Sequence, residues 1–154
     1  MKSEDYFRTL FKETKLATIM TSPVITIQQD EPFFNVYLKF SEHKIKHLIV
    51  VDVEKRVKGL VTLRDLYSMQ SPKKSEDGSF FYNSDDLDRF ILSRVMSKNP
   101  STFHAQDSVG DAVVKMGDKS YGCLPIVDDK GVAIGVITQS DIIKIVAKIL
   151  VISK

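Results

Sequence analysis

Apolar positions change period along the chain, which predicts a mixed α/β fold. A helical pattern over residues 31–43 is followed by a short, continuous apolar run at 48–51. The length and β-branched content of that run predict a buried strand. A second strand passes through 59–61 into a helix that begins at Thr62, and a short extended piece over 24–27 precedes them all. The helical pattern consists of Phe33, Val36, Tyr37 and Phe40.

The same order of elements recurs 76 positions later. With that offset, residues 16–66 align with 92–142 without a gap, and ten of the 51 pairs are identical. A unit of about 50 residues buries little surface alone. We therefore expect an α/β fold of two β-α-β-β-α repeats, packed face to face about a pseudo-twofold axis. The identical pairs are Leu16/Leu92, Met20/Met96, Thr26/Thr102, Lys39/Lys115, Leu48/Leu124, Val51/Val127, Asp52/Asp128, Gly59/Gly135, Thr62/Thr138 and Asp65/Asp141.

Breaker residues and helical patterns predict the domain boundaries. We expect an N-terminal helix over 1–15, a first repeat over 16–67, a linker and entry helix over 68–90, and a second repeat with a C-terminal helix over 91–154. The entry helix is predicted to run from Asp85 to Val95. Within the linker, the aromatic triplet 80–82 is either a packed strap or an exposed contact for a partner. We favour the packed strap, because large exposed apolar patches are uncommon in monomers.

Composition and charge exclude several classes of partner. The net charge is +2, and basic residues alternate with acidic ones, so we expect no nucleic-acid binding. The apolar stretch from Ile142 to Ile152 is interrupted by Lys144 and Lys148 and is shorter than a membrane span. The single cysteine, Cys123, lies among apolar residues and is interpreted as a small buried hydrophobe. We expect a cytoplasmic protein without a membrane partner.

The histidines do not form a pattern typical of catalysis or metal binding. His43 and His47 are four residues apart, but the predicted strand at 48 would end a helix before both could share a face. His104 is interpreted as a surface residue. The sequence contains no nucleophile constellation and no phosphate-cradling glycine loop. We therefore expect no metal site, no required cofactor and no enzymatic activity.

The candidate chemistry lies where the second strand of each repeat turns into a helix. Thr62 and Asp65 stand there in the first repeat, and Thr138 and Asp141 stand there in the second. Thr-x-x-Asp is a pattern that caps a helix start. The same groups could hold a phosphate and a ribose diol, since a hydroxyl donates and a carboxylate accepts. The two interpretations are compatible.

The two copies of this pattern closely resemble the tandem CBS-domain family. The resemblance rests on Leu-Ile-Val-Val-Asp with Gly-Leu-Val-Thr-Leu-Arg-Asp, repeated as Leu-Pro-Ile-Val-Asp with Gly-Val-Ile-Thr-Gln-Ser-Asp. Met-Thr-Ser-Pro and Met-Ser-Lys-Asn-Pro open the copies in the family's manner. The resemblance covers 16–66 and 92–142 and implies a non-catalytic pair with two clefts that bind adenosine-containing ligands.

The resemblance also assigns roles to individual residues. It implies that Thr62 with Asp65, and Thr138 with Asp141, hold phosphate and ribose. Basic residues before the apolar strand would meet phosphate, and here they are Lys46 and His47. The implied contacts to the base are Thr26, Ile27 and Ile49 in the first repeat, and Thr102, Phe103 and Pro125 in the second.

The second repeat departs from the family pattern. Gly122 and Cys123 stand where the first repeat has Lys46 and His47, so the second repeat carries no charge there. We therefore expect two inequivalent clefts.

The expected function is that of a stand-alone regulatory module. It would bind an AMP-, ADP- or ATP-like ligand or S-adenosylmethionine and signal to a regulated protein by conformational change. The alternatives are a dimerisation module without a ligand, and a regulatory fragment of a larger enzyme or transporter. Apolar residues on several faces of the C-terminal helix predict a homodimer.

Overall fold

The computed structural model describes residues 3–119 and 121–152 and divides the chain into two compact units. Ile25–Pro100 forms the first-repeat unit, and Met1–Val24 with Ser101–Lys154 forms the second-repeat unit. Residues 1, 2, 120, 153 and 154, which fall within the predicted ranges, lie outside the described residues.

Each repeat has the predicted order of strand, helix, strand, strand and helix. The helices are α1 (Ser3–Glu13), α2 (Phe34–His43), α3 (Leu63–Met69), α4 (Ser84–Leu87), α5 (Leu92–Val95), α6 (Val109–Lys119) and α7 (Gln139–Ile152). The strands are β1 (Thr26–Gln28), β2 (His47–Val51), β3 (Val57–Thr62), β4 (Lys73–Lys74), β5 (Phe80–Phe81), β6 (Ser97–Lys98), β7 (Phe103–His104), β8 (Cys123–Val127) and β9 (Ala133–Thr138). This order confirms the predicted fold class.

The first-repeat unit is built on a sheet with strand order β1-β2-β3-β6. β1 runs parallel to β2, whereas β2 and β3 are antiparallel neighbours. Alternate residues of the strands, Ile27, Leu48, Val50 and Val61, share one buried cluster with Phe33 at the start of α2. Because strand side chains alternate between faces, the neighbouring residues of the same strands point to the other face.

The second-repeat unit has a three-stranded sheet with order β7-β8-β9. Its core contains Leu124 and Ile126 of β8, Ile137 of β9 and Val109 of α6. Leu16 is also fully buried in this core, and its amide donates to the carbonyl of Asp107 at 2.9 Å. The beginning of the predicted first repeat therefore folds with the second, and so does α1, which packs on α6.

The segment that enters each repeat closes the sheet edge of the other. β6, which enters the second repeat, pairs with β3 through Leu60 and Ser97. Thr21, which enters the first repeat, exchanges two backbone hydrogen bonds with Val136 of β9, at 2.9 and 3.1 Å. Each compact unit thus contains parts of the chain that the repeat boundaries separate.

The region between the repeats contains regular structure. β4 and β5 form a small antiparallel hairpin. Its turn is held by Asp77, which accepts hydrogen bonds from the Ser79 amide at 3.0 Å and the Ser79 hydroxyl at 2.7 Å. Gly78 has a φ of +86°, a conformation that residues with a Cβ rarely adopt. The polar sequence of this stretch therefore encodes a turn with a defined shape.

The predicted entry helix from Asp85 to Val95 is wrong, since the chain forms α4 and α5 with a break between them. Leu87 and Leu92 are both fully buried in the core. Five residues of continuous helix would point them about 140° apart. The break, with extended backbone at Ile91, lets both side chains enter the same core.

Two glycines should respond in opposite ways to alanine. A Cβ at Gly59 would lie 2.5 Å from the sulfur of Met96 and 2.9 Å from the carbonyl oxygen of Ser97, whereas one at Gly117 meets nothing within 4 Å. Gly59→Ala should lower the free energy of unfolding by about 1–3 kcal/mol through overpacking. Gly117→Ala, inside α6, should raise it by up to about 1 kcal/mol. Urea denaturation of the two variants measures both, and a neutral Gly59→Ala would contradict the close packing.

Candidate ligand-binding site at the strand-to-helix turns

The turn from β3 into α3 is closed by a reciprocal capping arrangement. Thr62 has extended backbone and is the N-cap of α3. Its amide and hydroxyl donate to Oδ2 of Asp65 at 2.7 and 2.8 Å, and the Asp65 amide donates to the Thr62 hydroxyl at 3.2 Å. The capping interpretation of this pattern is therefore correct. It also leaves Oδ1 of Asp65 without a hydrogen bond from any described residue.

The turn from β9 into α7 repeats the two threonine-to-aspartate bonds of this arrangement. The amide and hydroxyl of Thr138 donate to Oδ2 of Asp141 at 2.8 and 2.9 Å. The first amide of α7, on Gln139, donates to the carbonyl of Gly122 at 3.2 Å. In the first repeat, the Leu63 amide donates to the backbone carbonyl of Lys46 at 3.0 Å in the same way. In both repeats, the first amide of the helix is therefore held against the residue that precedes the neighbouring strand, β2 or β8.

Strand register in the first-repeat unit places further predicted residues beside this turn. His47 is paired with Thr62 across β2 and β3, and Ile49 is paired with both Thr26 and Leu60. Paired residues in a sheet point to the same face. Thr26, His47, Ile49 and Thr62 therefore share the face opposite the α2 and α3 core. The structure therefore brings these four of the predicted site residues to one face of one sheet.

Two of the predicted base contacts have their side chains on the helix side. Ile27 is 1% exposed within the first core cluster, and Phe103 packs against the second cluster. On the opposite face, these two residues can offer a ligand only their backbone groups. Lys46 is exposed immediately before β2.

The second-repeat unit has the same register with different chemistry. Cys123 is paired with Thr138, and Pro125 is paired with Val136. Thr102 is exposed immediately before β7. Burial raises the pKa of the Cys123 thiol to about 12, so the thiol stays protonated at neutral pH. The position next to Thr138 is therefore uncharged, in agreement with the departure seen in the sequence.

His47 brings a neutral imidazole to the first site. Its pKa is lowered, first by burial and then by the positive charge of Lys46. Because the pKa falls below the ordinary value of 6.5, the ring is mainly uncharged at pH 7 and can donate one hydrogen bond. Lys46 supplies the positive charge at this end of the sheet.

A cleft of about 340 Å³ on the helix side of the first-repeat unit was missed by sequence reasoning. Five of its eleven lining residues are aromatic, and they come from α2, α3 and the hairpin region. The signal was present in the repeat alignment, since Tyr37 and Tyr67 stand opposite Val113 and Ile143. The aromatic triplet is divided: Tyr82 is buried, as a packed strap would be, whereas Phe80 is 65% exposed.

In the described part of the chain, no group of three or more His, Cys, Asp or Glu side chains is placed to hold a metal ion. Among the helices described, none combines the length and apolar character needed to span a membrane. α2 ends at His43, so His43 and His47 do not share a helix.

Comparison with known proteins identifies the family. The family model of the CBS domain matches residues 16–71 and 92–148. The chain belongs to the CBS domain family. A CBS domain-containing protein of Dictyostelium discoideum is 32% identical over 136 residues, which cover 86% of this chain and 90% of that protein. The next three relatives are longer, and the chain spans 24%, 63% and 22% of their lengths.

Solved CBS domain pairs share the fold. The pair of protein MJ0100, in complex with 5′-methylthioadenosine and S-adenosyl-L-methionine, has a TM-score of 0.73 at 21% identity and covers 88% of this chain and 97% of its own. CBSX2 in complex with AMP has a TM-score of 0.70 at 17% identity, with the same coverage of both chains. The likeness confirms the predicted CBS pair architecture.

Loss of the Thr62 cap should weaken the first-repeat unit. Thr62→Val keeps the side-chain shape but removes the acceptor for the Asp65 amide, so the free energy of unfolding should fall by about 0.5–2 kcal/mol. Thr62→Ser keeps the hydroxyl and should lose much less. Chemical denaturation measures both variants. Equal losses in Val and Ser would show that the hydroxyl has no part in the cap.

Proposed function

We propose that this CBS domain pair is a regulatory module that binds an adenosine-containing ligand at its strand-to-helix turns. The observation that carries the proposal is the matched placement of Thr62 with Asp65 and of Thr138 with Asp141. The solved CBS pairs with bound AMP, 5′-methylthioadenosine and S-adenosyl-L-methionine support this class of ligand. The ligand for this chain is AMP, ADP, ATP or S-adenosylmethionine, and no cofactor is required.

The free oxygen of each aspartate fits the ribose. Oδ2 of Asp65 and of Asp141 is occupied by the threonine amide and hydroxyl, which fixes the orientation of the carboxylate. Oδ1 then accepts from the ribose hydroxyls. A charge-assisted hydrogen bond to a fixed carboxylate is stronger than one between neutral groups. Thr26 and Ile49, on the same sheet face as Thr62, lie where the base would contact the first repeat.

The two turns differ in charge, which assigns them different ligands. Lys46 and His47 stand beside Thr62, and the lysine can neutralise a phosphate. Gly122 and the protonated Cys123 stand beside Thr138, where Thr102, Phe103 and Pro125 complete the set. The first repeat therefore takes the phosphate-bearing nucleotide, and the second takes an adenosyl compound without a strong negative charge.

Signalling follows from differential affinity. A ligand that binds one conformation of the module more tightly than another shifts the population toward that conformation. A separate regulated protein then reads the change, so the module acts without catalysis. The coupling is reciprocal, and binding of the regulated protein must change the affinity for the nucleotide by the same factor.

Calorimetric titration with AMP, ADP, ATP and S-adenosylmethionine tests the site. Asp65→Ala should weaken nucleotide binding by tenfold or more, since a hydrogen bond to a charged group contributes about 1.5–3 kcal/mol. Asp111→Ala is the matched control. Ser108 and Asp111 form another Ser-x-x-Asp cap, with bonds of 2.7 and 3.0 Å at the start of α6, so its removal costs a cap without touching the proposed site.

The comparison of these variants separates binding from stability. If Asp65→Ala and Asp111→Ala weaken binding equally, lost helix capping explains the effect and the ribose contact is wrong. If none of the four compounds binds the wild-type chain, the ligand-free dimerisation module becomes the better explanation.

We also propose that the module is a homodimer that uses α7. Three apolar side chains of this helix are largely exposed, namely Ile143 at 67%, Leu150 at 57% and Val151 at 74%. Apolar side chains clustered on one exposed helix are typical of an interface. Association of identical chains most often gives a twofold dimer, in which the same surface is used on both subunits.

Light scattering during size-exclusion chromatography tests the dimer. The wild-type chain should have twice the monomer mass of 17.4 kDa. Ile143→Lys places a charge in the interface and should give the monomer. Val53→Lys is the control, because Val53 is 71% exposed on a turn outside α7. A wild-type monomer, or a dimer that survives Ile143→Lys, would contradict the proposal.

A further inference from the structure

The cleft on the helix side of the first-repeat unit has the composition of a small-molecule site. It lies between α2, α3 and the hairpin strand β5, and its volume of about 340 Å³ is within the range of ligand pockets, about 300–1,000 Å³. Thr62 and Asp65 do not line it. We call it the aromatic cleft. Its lining residues are Tyr37, Phe40, Ser41, Lys44, Ile45, Lys46, Leu63, Leu66, Tyr67, Phe80 and Tyr82.

The floor of the aromatic cleft is fixed, whereas its rim is exposed. Tyr82 is 7% exposed, its hydroxyl donates to the carbonyl of Gln70 at 2.9 Å, and its ring lies edge-on to Tyr37 at 5.2 Å between centroids. Phe80 and Tyr67 remain 65% and 56% exposed. A ligand with a flat aromatic ring fits such a cleft, because the ring would pack on the aromatic floor and cover the two exposed rings at the rim.

The positive charge of the cleft favours one sign of charge on its ligand. Lys44 and Lys46 both line it, and neither forms an ion pair with a described residue. Among the described lining residues there is no carboxylate. Aromatic cages for organic cations gain from cation–π contact, but two unpaired ammonium groups would repel a cation. A negatively charged ligand therefore fits this lining better than a cation does.

The second repeat shows that folding does not require this chemistry. At the positions of Tyr37, Ser41, Lys46 and Tyr67 it has Val113, Gly117, Gly122 and Ile143. α6 and α7 nevertheless form and pack on their sheet, as α2 and α3 do. The hydroxyl, ammonium and large aromatic groups of the first repeat are thus additional to what the shared fold needs.

We propose that the aromatic cleft binds a small aromatic carboxylate of one or two rings, as a second ligand distinct from the nucleotide. The ring lies against Tyr37, Tyr67 and Phe80, and the carboxylate faces Lys44 and Lys46. Binding needs no contact with Asp65; Lys46, which the proposed phosphate contact also uses, is the residue that the two sites share.

Titration of the full chain with 1-naphthoate, followed by ¹H–¹⁵N NMR, tests the proposal. Shifts should concentrate at α2, α3 and residues 80–82. Tyr67→Ile, which installs the residue of the second repeat, should weaken binding about three- to tenfold through loss of a ring contact. Leu38→Val is the matched control, because it also installs the second-repeat residue, at an exposed position of α2 outside the cleft.

A charge variant tests the polarity of the ligand. Lys44 ends α2 in the left-handed conformation, with a φ of 52°. Lys44→Asn removes the charge and keeps a residue that tolerates this conformation. It should weaken 1-naphthoate binding about two- to fivefold at low ionic strength, and salt should reduce the difference. The cation 1-naphthylmethylammonium should bind more weakly than 1-naphthoate.

The outcomes distinguish this site from the nucleotide site. Asp65→Ala should leave 1-naphthoate binding unchanged, so loss of nucleotide binding alone leaves the aromatic cleft standing. The proposal is overturned if 1-naphthoate does not bind, if the naphthyl cation binds as tightly, or if Tyr67→Ile and Leu38→Val are indistinguishable. Tyr67→Ile could instead change the molecular mass that light scattering gives for the assembly and leave 1-naphthoate binding unaltered. That result would assign the cleft to contact with a second copy of the chain.

Discussion

The rest of the structure depends on the close approach of an entering segment to a glycine on the strand that leads into each Thr-x-x-Asp turn, β3 or β9. Met96 and Ser97 lie against Gly59, and Met20 and Thr21 lie against Gly135. They lie so close that a Cβ on either glycine would collide with them. These contacts close the edges of β3 and β9. Each of these strands ends at the Thr and runs directly into the helix that carries the Asp. An unpaired edge would leave backbone donors and acceptors open to other chains, so this pairing both protects the sheet and fixes the direction of the turn.

The turns show how one set of groups can serve stability and binding together. Thr62 satisfies the backbone at the start of α3, and in doing so it orients the carboxylate of Asp65. A carboxylate that is already fixed loses little conformational freedom when it accepts a ribose hydroxyl. The capping role therefore does not compete with ligand binding. It supplies the preorganisation that binding needs, and the register of β2 and β3 brings His47 to the same end.

Sequence patterns identify features that depend on nearby residues. The helical spacing in α2 and α6, the apolar strands and the Thr-x-x-Asp turns were all predictable, because local periodicity and capping determine them. The exchange of entering segments was not, since it depends on contacts such as Gly59 with Met96, far apart in sequence. The break between α4 and α5 was not predictable from local periodicity, because it arises from the burial of Leu87 and Leu92, five residues apart, in one core. The polar composition of residues 73–81 is typical of a linker, but Asp77 and Gly78 hold a hairpin turn there.

A duplicated chain contains its own reference for separating structural from functional residues. Positions at which both repeats agree, such as Gly59 and Gly135 or Asp65 and Asp141, serve the shared fold, and at the turns they also serve the proposed ribose contact. Positions at which the repeats differ in chemistry but not in backbone cannot be explained by folding. Lys46 and Tyr67 are of this kind, since glycine and isoleucine serve in the other copy. Both lie around the start of β2 and α3, so the chemical specialisation of the first repeat is concentrated at one end of its sheet, on the two faces where the proposed ligands would bind.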